Sequence, residues 1–166
     1  MFQDFARYNV SVADNIRFGN IHADDDGERV KEAAVKSGAH QYIRKLPEAY
    51  NTLMGRVFED GQEISIGQWQ KLAIARAFYS DSQFIIFDEA TSALDAKAEM
   101  ELFESLREHI GDRGILIISH RLSAVKHADH IYVMSEGRIR QQGTHESLIA
   151  SQGEYARLFN KKTVVI

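Results

Sequence analysis

The residues with most to offer chemistry are two adjacent carboxylates, Asp88 and Glu89, placed directly after the apolar run Phe84-Ile85-Ile86-Phe87. A short continuous apolar run predicts a strand covered on both faces of a parallel sheet. Such strands carry the residues at their carboxyl ends to the edge where open α/β sheets hold ligands. An aspartate there can hold Mg2+, and a following glutamate can polarise a water for attack on a phosphate. Taken alone, the pair is more simply a solvated acidic turn at a strand exit. Three other segments change that balance. Ser65-Ile66-Gly67-Gln68 opens a helical pattern, and the amides and dipole of a helix start converge on an anion, although such a start is most often only a cap. Ser92-Ala93-Leu94-Asp95 follows the carboxylates closely, and Ser119-His120-Arg121 follows a second apolar run. A histidine at a strand end is usually a surface residue; next to an Asp-Glu strand it becomes a candidate for phosphate chemistry.

The elements that must position these groups are readable from periodicity. Val30, Ala33, Ala34, Val35, Ala39, Tyr42, Ile43 and Leu46 recur among charges at helical spacing from about Asp24 to Lys45, predicting short amphipathic helices that end before Pro47. The Gly-, Asn- and Asp-rich stretch from Tyr50 to Glu63 reads as loop with one short strand. Trp69, Leu72, Ala73, Ala75, Ala77 and Phe78 predict a helix from Gly67 to Tyr79, capped by Ser65. Ile115 to Ile118 is a second buried strand, and an amphipathic helix from Ala96 to Ile110 crosses between the two strands, which makes a βαβ unit. Ile131 to Met134, a turn at Ser135 to Arg138 and a strand from Ile139 form a hairpin, followed by helices starting near His145 and Glu154.

Composition narrows the function. The 166 residues carry 20 lysines and arginines against 24 aspartates and glutamates, and a net charge of -4 makes nucleic acid a poor partner. With 44% hydrophobic and 27% charged residues the chain reads as an ordinary globular α/β protein able to bury a core. Without cysteine it has neither disulfides nor thiolate chemistry. Its longest apolar runs are four residues, far short of the roughly 18 that a membrane span requires. The first residues have neither the basic start nor the apolar core of a signal segment.

In this order the motifs resemble the nucleotide-binding domain of ATP-binding cassette (ABC) transporters. Ser65-Ile66-Gly67-Gln68 is similar to its signature motif, Phe84 to Asp88 to its Walker B strand, Glu89 to its catalytic carboxylate, Ser92 to Asp95 to its D-loop, and His120 to its switch histidine. Gln3 stands where the family has its Q-loop glutamine. The Ala90-Thr91-Ser92-Ala93-Leu94-Asp95 stretch and the ending Gly143-Thr144-His145-Glu146-Ser147-Leu148 most resemble the exporter branch. The resemblance covers essentially the whole chain. It implies a partial P-loop NTPase (RecA-like) parallel sheet with an α-helical signature subdomain: a helical lobe over about 5–80 and the second half of a catalytic lobe over about 81–166.

The same resemblance implies the ligands and roles. ATP and Mg2+ would lie between two such domains arranged head to tail, beneath the transmembrane domain of an exporter at the cytoplasmic face of the membrane. Asp88 and Gln3 would serve Mg2+, Glu89 the attacking water, and His120 the γ-phosphate. Ser65, Gly67 and Gln68 would meet the partner's γ-phosphate, and Asp95 would bridge the dimer. Two departures stand out. Ile66 replaces the first signature glycine, and a β-branched residue does not readily take positive φ, so a weakened or differently shaped phosphate contact is expected, with Ser65 and Gly67 remaining. None of the 11 glycines is followed by lysine, so the 166 residues hold no G-x-x-x-x-G-K-[ST] phosphate loop. The chain thus reads as a C-terminal portion beginning at the Q-loop and unable to bind or hydrolyse ATP alone.

A non-catalytic interaction fragment is the main alternative. A DNA-repair or chromosome-type ABC ATPase is disfavoured by charge and by the mere 62 positions between Gln3 and Ser65. Weaker features take plain explanations. Asp24-Asp25-Asp26-Gly27 lacks the EF-hand glutamate, Ala33 standing in its place, and reads as a turn opening a helix. His127 and His130 lack a third ligand nearby, and Trp69 reads as packing.

Overall fold

The computed structural model describes residues 5–24, 26–57 and 59–163. The chain divides into two compact units, 1–118 and 119–166. Gln3 lies outside the described residues.

The first unit is organised around α4 (Ile66–Tyr79). Trp69, Leu72, Ala73, Ile74, Ala75, Phe78 and Tyr79 are all buried, so this helix is apolar on most of its circumference and must be enclosed. It is enclosed by α1 (Val12–Arg17) and α2 (Gly27–Lys36), both packed against it. Val12, Ile16, Val30 and Ala34 meet this core, and each fully buried aliphatic side chain of the size of Leu72 or Ile74 contributes roughly 1.5–3 kcal/mol. α1 begins at Ser11, whose side chain accepts from the Asp14 amide at 3.0 Å. α2 begins at Asp26, whose Oδ1 accepts from the Glu28 amide at 2.9 Å, so Asp26 caps the helix, as the sequence suggests. A short α3 (His40–Ile43) and a 3-10 turn (Ala49–Asn51) lead into the loop before α4. In place of the strand expected there, the described residues form only isolated bridges, Ser11 with Leu53 and Met54 with Gln62.

β1 (Phe84–Asp88) and β2 (Gly114–Ile118) pair in parallel, with Phe84 opposite Gly114 and Asp88 opposite Ile118. α5 (Ala96–His109) connects them, which gives the βαβ unit its crossover. Burial corrects one expectation: the strands are not covered on both faces. Ile85 and Phe87 are buried, whereas Phe84, Ile86, Leu116 and Ile118 are exposed.

The second unit holds α6 (Leu122–Val125), an antiparallel hairpin of β3 (Ile131–Ser135) and β4 (Arg138–Gly143), then α7 (His145–Ala150) and α8 (Glu154–Thr163). Its core is Ile131, Leu148 and Tyr155, flanked by Val133, Ile149 and Phe159. The Tyr155 hydroxyl lies 2.9 Å from His145 Nδ1, and Gln141 ties hairpin to helix by accepting from the Tyr155 amide at 2.9 Å.

Candidate functional site

The start of α4 is a closed capping box. Ser65 Oγ accepts from the Gln68 amide at 3.2 Å, and Gln68 Oε1 accepts from the Ser65 amide at 2.9 Å. Since the Gln68 oxygen faces Ser65, its Nε2 is the end left for another acceptor. The box uses the amides of Ser65 and Gln68, and the Trp69 amide reaches the Ser65 carbonyl at 2.9 Å. The Ile66 and Gly67 amides are the first-turn donors that neither the box nor the helix ladder consumes. From below, the Tyr42 hydroxyl donates to the Gln68 carbonyl at 2.9 Å, and burial pushes that phenol well above the usual tyrosine range. Trp69 is buried and donates from Nε1 to Glu63 Oε1 at 2.8 Å, a packing role as its spacing suggests.

Ile66 does not create the backbone conflict expected of it. It is the first residue of α4 and is not among the residues with positive φ, so a β-branched side chain fits there. That side chain is exposed. Gly67 is the position that comes close to the loop after β1: a Cβ built there would lie 3.1 Å from the Ala93 carbonyl oxygen, so a larger residue requires the loop to give by a few tenths of an ångström.

At the other side of this contact, Asp88 ends β1 and Glu89 leaves the sheet with φ +48°, a conformation in which a non-glycine residue is strained. The ladder continues one step, the Glu89 amide donating to the Ile118 carbonyl at 2.9 Å. The loop then folds tightly, with Ser92 N–H to Glu89 O at 3.1 Å and Leu94 N–H to Thr91 O at 3.0 Å. Buried Thr91 donates from Oγ1 to Glu99 Oε1 at 2.6 Å, fastening the loop to α5. Asp95 caps α5, its Oδ1 accepting from the Ala98 amide at 2.8 Å. The Ala93 amide donates to Gln70 Oε1 at 3.1 Å, fastening the same loop to α4. The structure therefore brings Gly67, on the turn that Ser65 and Gln68 cap, up to the loop that joins Asp88-Glu89 to Asp95.

His120 belongs to the second unit. It is exposed, at a turn where Ser119 Oγ accepts from the Arg121 amide at 3.0 Å.

Three groups that the sequence reading passed over hold this arrangement. Gln70 and the Thr91–Glu99 pair fix the loop, and Arg76 fixes α4 from behind. Arg76 donates to the Asn15 carbonyl at 2.8 Å, to Asn15 Oδ1 at 2.8 Å and to the Ala6 carbonyl at 2.7 Å, and lies over the Tyr8 ring. Burial pulls this guanidinium below the usual arginine range, with Tyr8 and Tyr42 opposing the shift. The one signal of these roles in the sequence is spacing: Gln70 stands three residues after Gly67 and so shares its helix face.

A profile described as ABC transporter matches residues 1–92. The human mitochondrial potassium channel ATP-binding subunit is 43% identical over 162 residues, 98% of this chain and 21% of that protein. An ATP-dependent lipid A-core flippase from Saccharophagus degradans is 42% identical over 155 residues, 93% of this chain and 26% of that protein. Among solved structures, a bacterial Atm1-family ABC exporter with ATP bound superposes with a TM-score of 0.86 at 33% identity, over 97% of this chain and 27% of that one. The chain thus spans about a quarter of the length of the proteins it matches, and its mixed α/β fold is that of part of an ABC ATPase. With the family profile covering more than half of its residues, this chain belongs to the ABC transporter family.

Proposed function

We propose that this chain supplies the signature helix and the Asp-Glu strand of an ATP-hydrolysing domain that powers export across a membrane. The observation that carries this reading is the Gly67–Ala93 contact: a helix start with spare amides is fastened to the loop leaving Glu89, so both halves of a phosphate-handling apparatus share one scaffold.

The donor set fits Mg-ATP. The Ser65 hydroxyl, Gln68 Nε2 and the Ile66 and Gly67 amides are donors suited to phosphate oxygens. A Mg2+ bound mainly by phosphates and water asks little more of a protein than one carboxylate, and Asp88 at the strand end supplies it, with Gln3 as a second ligand by family likeness. When bound, the ion neutralises charge on the phosphates. Glu89 would orient the attacking water and take its proton, and His120 would donate to the γ-phosphate. Ser65, Gly67 and Gln68 would act on the nucleotide of a second, head-to-tail domain, with Asp95 at the seam. Phosphoryl transfer depends mostly on such positioning and charge stabilisation. The 166 residues include no glycine–lysine phosphate loop, so this reading assigns that contact to another segment and expects neither tight ATP binding nor turnover from these residues alone. The same feature is what favours a non-catalytic interaction fragment as the second reading. The partners proposed are a transmembrane domain and a second nucleotide-binding domain, which would place the chain at the cytoplasmic face; no helix among the described residues is long and apolar enough to cross the bilayer itself.

The test joins this chain to an ABC segment that carries a phosphate loop. Glu89→Gln is expected to lower turnover at least about a hundredfold while ATP still binds, because it removes the proton acceptor and leaves the phosphate donors in place. Near-normal hydrolysis by Glu89→Gln would overturn the assignment and leave the interaction fragment as the better reading.

A further inference from the structure

Gln70 is fully buried, and its amide is only half used. Its Oε1 accepts the Ala93 amide at 3.1 Å, whereas its Nε2 has no hydrogen-bond partner among the described residues. The orientation is fixed by chemistry, because a backbone N–H can be met only by the oxygen end of a carboxamide. An orphaned buried donor is costly, and methionine or leucine would fill a similar volume without one. Packing alone therefore does not account for a glutamine at this position; the bond to Ala93 does. Gly67, one turn earlier on the same face, admits the Ala93 carbonyl so closely that a Cβ would lie 3.1 Å from it. One peptide unit on each side of Ala93 is thus gripped by α4, through a side chain at Gln70 and through a missing side chain at Gly67.

The gripped loop has two functional ends. Four residues before Ala93 is Glu89, held at φ +48°, and two residues after it is Asp95, which caps α5. On its far side the loop is tied to α5 by Thr91 and Glu99. A displacement of the start of α4 must either stretch the Ala93–Gln70 bond or carry the loop, and with it the Glu89 turn. We infer that Gln70 is a positioning residue that couples the phosphate-facing start of α4 to the geometry of Glu89. The functional half of this inference rests on the ATPase reading above; the mechanical half does not.

The experiment therefore has two arms, using Gln70→Met, which removes the acceptor at similar volume, and Gln70→Glu, which keeps a carbonyl oxygen facing Ala93 and, at about pH 5 with burial holding the acid protonated, adds no charge. In this chain alone, amide exchange followed by NMR is expected to show Ala93 exchanging about tenfold faster in Gln70→Met, with Leu72 and Ile74 unchanged, and protection restored in Gln70→Glu. Unchanged exchange at Ala93, or equal loss of protection along all of α4, would overturn the coupling, the second outcome because it marks a general packing role. In the phosphate-loop-joined protein, Gln70→Met is expected to lower kcat for ATP about tenfold with KM within about twofold, and Gln70→Glu to recover most of the loss. A kcat unmoved by Gln70→Met would overturn the link to Glu89. If Glu89→Gln itself turns over normally, the ATPase reading fails, and the exchange arm still decides whether Gln70 anchors the loop.

Discussion

At the start of α4 the chain meets its own needs locally: Ser65 and Gln68 satisfy each other, Tyr42 braces the first turn, and no residue there takes a strained backbone conformation. At the end of β1 the opposite holds. Glu89 sits at φ +48°, and the loop after it keeps its shape through distant partners, Gln70 on one helix and Glu99 on another. The cap of the first region is closed within four consecutive residues, Ser65 to Gln68, with Tyr42 as a distant brace, whereas the second region adds to its own turns two side-chain anchors on other elements. This difference implies that the helix start is already formed before any ligand arrives, whereas the carboxylate turn is only as well placed as the scaffold around it. Backbone strain tolerated at one position and supported by its surroundings is a common property of groups held for chemistry.

The largest effect expected from disturbing this scaffold comes from behind α4. Arg76 satisfies both the carbonyl and the side-chain oxygen of Asn15, a fully buried residue, as well as the Ala6 carbonyl. Gly19 also lies against the Arg76 carbonyl, with a built Cβ only 2.1 Å from that oxygen, so α1 and its exit are fitted to this one turn of α4. Arg76→Met keeps much of the aliphatic stem and removes the donors, leaving buried oxygens unpaired. A loss of roughly 2–4 kcal/mol is expected by urea unfolding. A loss below about 1 kcal/mol would show that α1 and α4 are held by apolar packing alone.

How much of this was legible in the sequence follows the same division. The capping box, the helix behind it and both strands rest on local signals: a Ser three residues before Gln68, apolar positions at helical spacing, and two four-residue apolar runs. The six-residue α1 escaped because it is too short to show periodicity, although Ser11 and Asp14 mark its start. The open face of the sheet was hidden for a different reason. A run such as Phe84 to Phe87 is apolar at every position, so it cannot announce that only Ile85 and Phe87 are buried. Ile66 misled because its type was judged against a positive φ that the chain does not adopt there. Gln70, Glu99 and Arg76 were missed because their partners lie 23, 8 and 61–70 positions away, and no spacing rule reaches across those intervals.

A smaller effect separates the self-sufficient end from the supported one. Ser65→Ala removes the acceptor for the Gln68 amide, and an exposed cap of this kind is worth about 1 kcal/mol. Because Ala93 is held by the Gln70 side chain and not by the capped amides, fraying of the first turn should cost those amides their protection in exchange measurements while Ala93 keeps its own as long as Gln70 stays in place. Parallel loss at Ala93 would mean that the helix start and the carboxylate loop are a single cooperative piece, and that the contrast between them is one of sequence distance only.

The smallest effect concerns the strain itself and has an unusual sign. Replacing Glu89 by either alanine or glycine removes the same carboxylate and the interactions it makes, so the difference between the two variants isolates the backbone. At φ +48° glycine avoids the clash of Cβ with its own peptide, worth roughly 1–2 kcal/mol, and gives back part of that through the greater freedom of glycine in the unfolded chain. Glu89→Gly is therefore expected to be more stable than Glu89→Ala by about 0.5–1 kcal/mol. The control is Lys97, an exposed position near the start of α5, where ordinary helical φ reverses the order and alanine is favoured over glycine. Urea titrations of the four variants under identical conditions decide the matter. If alanine is the more stable residue at both positions, Glu89 is not strained in solution, and the turn after β1 is as locally determined as the cap at Ser65.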